Sequence, residues 1–105
     1  MFEDKKVLTG VKPTGTPHLG NYLGAIKPAI RLGHQALDAG GKHYMFIAGY
    51  HAINAEKDPA VLNQKLKEIA CIYLAAGLDP SRSVFYRQSD IADIPEITTI
   101  LYAYT

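Results

Sequence analysis

The chain is nearly without cysteine. Cys71 stands alone among 105 residues, which excludes an internal disulfide and a thiolate-rich zinc site. Its expected place is on a helix, as a small buried hydrophobe. Charge of one sign is also scarce. Eleven Lys and Arg against ten Asp and Glu leave a net charge of +1, so no broad basic field marks this chain as the main surface for a nucleic acid. No apolar run nears the roughly 18 residues needed to cross a bilayer. Met1-Phe2-Glu3-Asp4-Lys5-Lys6 has no apolar h-region behind it. A cytoplasmic chain is the resulting expectation. What is present is ordinary for a globular protein, 48% hydrophobic and 20% charged, with the length of one domain or part of one.

Punctuation and periodicity divide the chain into alternating elements. Residues 6–11 are short, apolar and β-branched, and read as a first strand. Two prolines and a glycine make 12–17 a loop. Leu19, Tyr22, Leu23, Ile26, Ala29 and Ile30 form one stripe at helical spacing, which predicts a helix over 18–38. Pro28 lies inside that stripe, so a kink is expected there. Gly40-Gly41 ends the segment. The apolar run 43–49 predicts a central strand buried on both faces, with 50–54 as the loop leaving it. Asp58-Pro59 opens a second helix as N-cap and first helical residue, and Gly77 stops it. Residues 83–88 read as a third strand. The segment 94–105 reads as a third helix, with Ile97, Ile100, Leu101 and Tyr104 on one side. This βαβαβα order predicts an α/β fold, a parallel sheet with flanking helices. The chain ends without a helix-stop signal, so 1–105 is expected to be a fragment of a longer protein. A half-sheet of that kind exposes an edge and an apolar helix face, and self-association is a reading that stays open.

The segment from Val7 to Ile26 carries the most chemistry. A strand that feeds a Pro/Gly loop into a helix N-terminus makes a phosphate site, because free N–H groups and the macrodipole face the loop. His18 and Asn21, three residues apart, share the first helical turn. An imidazole donor and a carboxamide at that place suit the stabilisation of charge on a phosphate during adenylation. The same two residues also suit a plain helix cap. Gly20 and Gly24 permit close contact, either with a nucleobase or with a neighbouring strand. Lys12 is placed to meet a phosphate as a point charge, or to sit in solvent.

His18-Leu19-Gly20-Asn21 resembles the "HIGH" signature of class I aminoacyl-tRNA synthetases. The longer string Pro-Thr-Gly-x-x-His-Leu-Gly-Asn-Tyr-Leu-Gly-Ala-Ile is similar to the tryptophanyl-tRNA synthetase form of it. The likeness continues through Tyr50-His51-Ala52-Ile53, Gly77-Leu78-Asp79-Pro80 and Gln88-Ser89. It implies a Rossmann-like fold, of which this chain carries the first half. It implies ATP as a substrate, with Mg2+ carried on its phosphates, L-tryptophan and tRNA as partners, and a homodimer. It assigns ATP contacts to Lys12, Pro13, Thr14, Gly20 and Asn21, and the catalytic role to His18 and Asn21. It assigns the border of the amino-acid pocket to Leu8 and His51, and leaves Gly24 open. No metal ligand is implied. Lys12 stands where the family commonly has Gln, and Gly49 where it usually has Asp. Gln88-Ser89-Asp90 matches the family pattern as structure. The lysine-rich second signature, the acidic residue that recognises the indole N–H and the anticodon-binding helices lie beyond residue 105, so this chain alone is expected to be catalytically impaired. A tyrosyl-type synthetase and a small-molecule nucleotidylyltransferase remain as other enzymatic readings. A non-catalytic nucleotide-binding module is the reading from another class.

Overall fold

A computed structural model describes residues 4–13 and 18–105. Among them three strands form one parallel sheet in the order β1 (Lys6–Val11), β2 (Lys42–Ile47), β3 (Val84–Arg87). Val11 pairs with Ile47, and Ile47 with Arg87, so the carboxyl ends of all three strands lie level. The connections after β1 and β2 are helical. The first runs as α1 (Leu19–Asn21), a π turn (Tyr22–Ile26) and α2 (Lys27–Asp38). The second comprises a short α3 (Gly49–Ala52) and α4 (Pro59–Ala75), and α5 (Asp93–Tyr104) follows β3.

Local chemistry explains most of the boundaries. Asp58 caps α4, its carboxylate accepting from the Ala60 N–H at 2.8 Å, with Pro59 at the first position. Gly40 and Gly77 hold φ of +83° and +109°, the left-handed conformation that ends a helix without a Cβ penalty. Beyond Gly77, the Leu78 N–H reaches back to the Tyr73 carbonyl at 3.1 Å and its side chain is buried. The irregularity expected at Pro28 takes the form of the π turn just before it. There the Lys27 N–H reaches back five residues, to the Tyr22 carbonyl. One extra residue in the turn eases the crowding that a proline ring causes against the preceding carbonyls.

β2 corrects one expectation. Its burial alternates: His43, Met45 and Ile47 are buried, Tyr44 and Phe46 only half so. With strands in the order 1-2-3, right-handed crossovers carry both connecting helices to the same face. Ile26 and Ile30 from one connection and Leu66, Ile69 and Tyr73 from the other therefore pack with Met45 and Ile47 in a single core. The opposite face keeps Leu8 63% and Val84 51% exposed. Two further expectations change. Cys71 is exposed, because it lies off the stripe by which α4 packs. Residues 50–54, expected as loop, begin inside the helical turn α3.

The inner face holds a buried histidine near the start of β2. His43 is 1% exposed. Its Nδ1 lies 2.9 Å from the Ser83 hydroxyl, and its ring lies against Gly33 of α2. Burial, and secondarily the charge of His34, hold its pKa below the usual imidazole value. The unfolded chain therefore takes up this proton first as pH falls. The stabilising contribution is complete above the unfolded value near 6.5 and is lost as pH drops through and below it, by up to about 1.4 kcal/mol per pH unit. Urea midpoints at about pH 7.5 and about pH 5.5 check this, and equal stability at both would refute it. Asp79 and Asp90, whose hydrogen bonds hold their carboxyls low, act in a more acid range.

Candidate functional site

The level carboxyl ends of the strands set the place, since ligands of parallel α/β sheets bind outside those ends. After β1 come Lys12, exposed, and Pro13, buried. The Val11 carbonyl accepts from the Ala48 N–H at 2.8 Å, which ties the exit of β1 to the exit of β2. Thr14 lies outside the described residues.

His18 is the N-cap of α1, and it forms a reciprocal pair with Asn21. His18 Nδ1 accepts from the Gly20 N–H at 3.0 Å, while the His18 N–H donates to Asn21 Oδ1 at 2.9 Å. A main-chain N–H can only donate. In the neutral ring the accepting Nδ1 thus leaves the proton on Nε2. The Asn21 oxygen is engaged, and its amide hydrogens remain available as donors. Both side chains are exposed. Gly20 supplies the space for this arrangement, because a Cβ there would crowd the His18 ring at 2.8 Å. Around Gly24 a Cβ would meet open space among the described residues, so no neighbouring strand packs on it. Lys12 and Asn21 come together at a cavity of about 90 Å³, which Val11, Ala25, Ile26, Ile69 and Tyr73 also line.

His51 lies in α3, and its partner was not singled out by the sequence. Gln88, buried at the end of β3, accepts with Oε1 from the Tyr50 N–H and from His51 Nδ1, each at 3.2 Å. Together with α5 these residues border a second cavity, of about 340 Å³. The signal that marks Gln88 is positional: a polar side chain directly after a strand, where crevice-facing groups arise. Leu8 stands apart, on the open face of the sheet, and lines neither cavity. Arg87 is engaged by Asp90 in a bidentate pair of 3.0 and 2.7 Å.

The comparisons with known proteins agree with this geometry. The family described as tRNA synthetases class I (W and Y) matches residues 3–105. The chain belongs to that family. The tryptophan–tRNA ligase of Pseudomonas putida is 51% identical over 96 residues, which is 91% of this chain and 21% of that protein. That of Neisseria meningitidis is 46% identical over 101 residues, 96% of this chain and 29% of the relative. The crystal structure of tryptophanyl-tRNA synthetase from Campylobacter jejuni superposes with a TM-score of 0.83 at 39% identity, covering 95% of this chain and 30% of that one. The chain thus spans between 21% and 30% of these relatives' length. As a class I synthetase sequence it has the expected Rossmann-like sheet, and His18-Leu19-Gly20-Asn21 stands where the first turn follows β1. Among the described residues no helix is long and apolar enough to cross a membrane.

Proposed function

We propose that this chain carries the ATP-binding first part of a catalytic domain that activates L-tryptophan and charges its tRNA. The family match and the names of the relatives support the reaction class. The observation that carries the site is the reciprocal cap of His18 and Asn21, which leaves two donors, His18 Nε2–H and the Asn21 amide, at the start of the first helix. In the reaction a carboxylate oxygen of tryptophan attacks the α-phosphorus of ATP. One P–O bond forms, the bond to the bridging oxygen breaks, and pyrophosphate departs with the released charge. The chemistry needs placement and charge stabilisation rather than covalent help. In this reading His18 and Asn21 stabilise the transferring phosphate. Lys12, Pro13, Thr14 and Gly20 complete the ATP contacts, and Mg2+ arrives bound to the phosphates. His51 borders the amino-acid site, and Leu8, expected to share that border, stands on the open face of the sheet away from it. The working enzyme is a cytoplasmic homodimer. Calorimetric titration of the folded chain with ATP-Mg tests the reading. Saturable binding is expected, and none at millimolar ATP would remove the nucleotide from these residues.

Self-association is a second reading, favoured by the apolar surface left uncovered. Leu8 is 63%, Ile100 53% and Leu101 59% exposed. Apolar side chains left uncovered on the open sheet face and on α5 favour association in water. Light scattering over a hundredfold range of concentration is expected to show growth in mean mass, and a constant monomer mass would exclude it.

A further inference from the structure

The geometry points to Gln88 as a positioning residue that turns His51 into a hydrogen-bond acceptor for a donor group on the substrate. The proposal rests on the reading that the cavity beside His51 takes the amino acid.

The proton positions follow from the partners. The Tyr50 N–H can only donate, so the Gln88 atom it meets at 3.2 Å is the carboxamide oxygen. That oxygen can only accept, so His51 meets it, also at 3.2 Å, with Nδ1–H. The neutral ring then holds its lone pair on Nε2. A free neutral imidazole favours the other tautomer, with the proton on Nε2. The state of His51 is therefore imposed by Gln88, a residue 37 positions away in the chain. Because Gln88 is only 8% exposed and its oxygen also caps the first turn of α3, the carboxamide has little freedom to turn.

The cavity gives this polarity a use. Its volume of about 340 Å³ falls in the range of small-molecule sites. Tyr50, His51 and Gln88 form one wall, and Ile94, Pro95 and Thr98 of α5 another. The Thr98 hydroxyl donates to the Ile94 carbonyl at 2.6 Å and so turns its hydrogen into the helix. The Nε2 lone pair of His51 remains to receive an ammonium or a ring N–H of a bound amino acid. His18 has the opposite polarity, with Nδ1 accepting from a main-chain N–H and Nε2 left as donor. Local hydrogen bonds thus prepare one histidine for anionic oxygen and the other for an N–H group.

Nitrogen-15 NMR of the imidazoles tests this without any ligand. The folded chain is measured at a pH of about 8, above the imidazole range, beside Q88L and Q88E. Wild type and Q88E, which keeps an accepting oxygen, are expected to hold His51 as Nδ1–H. Q88L is expected to relax to Nε2–H. A majority of Nε2–H in the wild type overturns the proposal, and so does Nδ1–H persisting in a folded Q88L. Should Q88L fail to fold, the wild-type tautomer still decides. L-tryptophan is then added. A shift of the Nε2 resonance in the wild type and in Q88E supports the acceptor role. A correct tautomer that tryptophan does not move overturns the substrate assignment and leaves the positioning by Gln88 standing.

Discussion

Replacing Gly33 by alanine is expected to destabilise the chain by about 2 kcal/mol, although it puts the best helix former in place of a poor one. Helix propensity alone favours alanine by about 1 kcal/mol. Against this, a Cβ on α2 at position 33 would overlap the His43 ring. The ring has no room to retreat. It is 1% exposed, held 2.9 Å from the Ser83 hydroxyl, and has Thr9 within 3.5 Å on its other nitrogen. Overpacking a rigid site costs about 1–3 kcal/mol and occasionally more, so the clash outweighs the propensity. Gly10→Ala is the matched control. Its Cβ would also overlap a ring, that of Phe46, but Phe46 lies on the uncovered face of the sheet and is only half-buried. That ring has space to swing, and a loss below about 1 kcal/mol is expected. Urea midpoints of the two variants decide. A Gly33→Ala chain as stable as the wild type would mean that helix propensity governs position 33 and that His43 does not hold its place.

The second large effect concerns nucleotide binding. Removing both side chains in a His18→Ala, Asn21→Ala variant is expected to abolish saturable binding of ATP-Mg, but the same change also strips the helix cap, which costs about 1 kcal/mol. Two subtler variants separate these effects. His18→Ser keeps an N-cap oxygen and loses the Nε2–H donor. Asn21→Asp keeps the oxygen that accepts from the His18 N–H and loses the amide donors. Each is expected to fold with near wild-type stability. Each is also expected to weaken ATP by tenfold or more, about 1.4 kcal/mol, because a donor to phosphate is lost and, in Asn21→Asp, a negative charge faces it. Histidine is not among the favoured N-cap residues, which are Ser, Thr, Asp and Asn. A position selected for capping alone would do better with one of these, and His18→Ser is accordingly expected to be no less stable than the wild type. Calorimetry beside thermal melts reads both quantities on the same samples. Unchanged ATP affinity in both variants would reduce His18 and Asn21 to cap residues.

Much of the fold is legible in the residues because its causes are local. β1 spans the six residues expected of it. α4 begins at Asp58-Pro59 and ends before Gly77, where N-cap chemistry and a left-handed glycine place its ends. Pro28 marks the irregular turn. The reciprocal cap of His18 and Asn21 was legible for the same reason, since two side chains three residues apart meet within one helical turn. Gln88 was not legible in its role, because the groups it serves, Tyr50 and His51, lie 38 and 37 residues earlier. Nor was α3. The Tyr50 N–H in its first turn finds its acceptor, Gln88, only when β3 lies beside β2, and without that acceptor residues 50–54 read as loop.

The sequence by itself determined the order of strands and long helices, the two ends of α4, the irregular turn at Pro28 and the pairing within the first turn after β1. These depend on hydrogen bonds and backbone preferences reaching about five residues or fewer. Only the tertiary structure decided which face of the sheet is covered, that Cys71 is exposed, that His43 lies against Gly33, and that Gln88 holds His51. Each of these depends on strand order and crossover handedness, which bring distant segments into contact by burying apolar area. That driving force is non-directional and carries no mark at a single position in the chain.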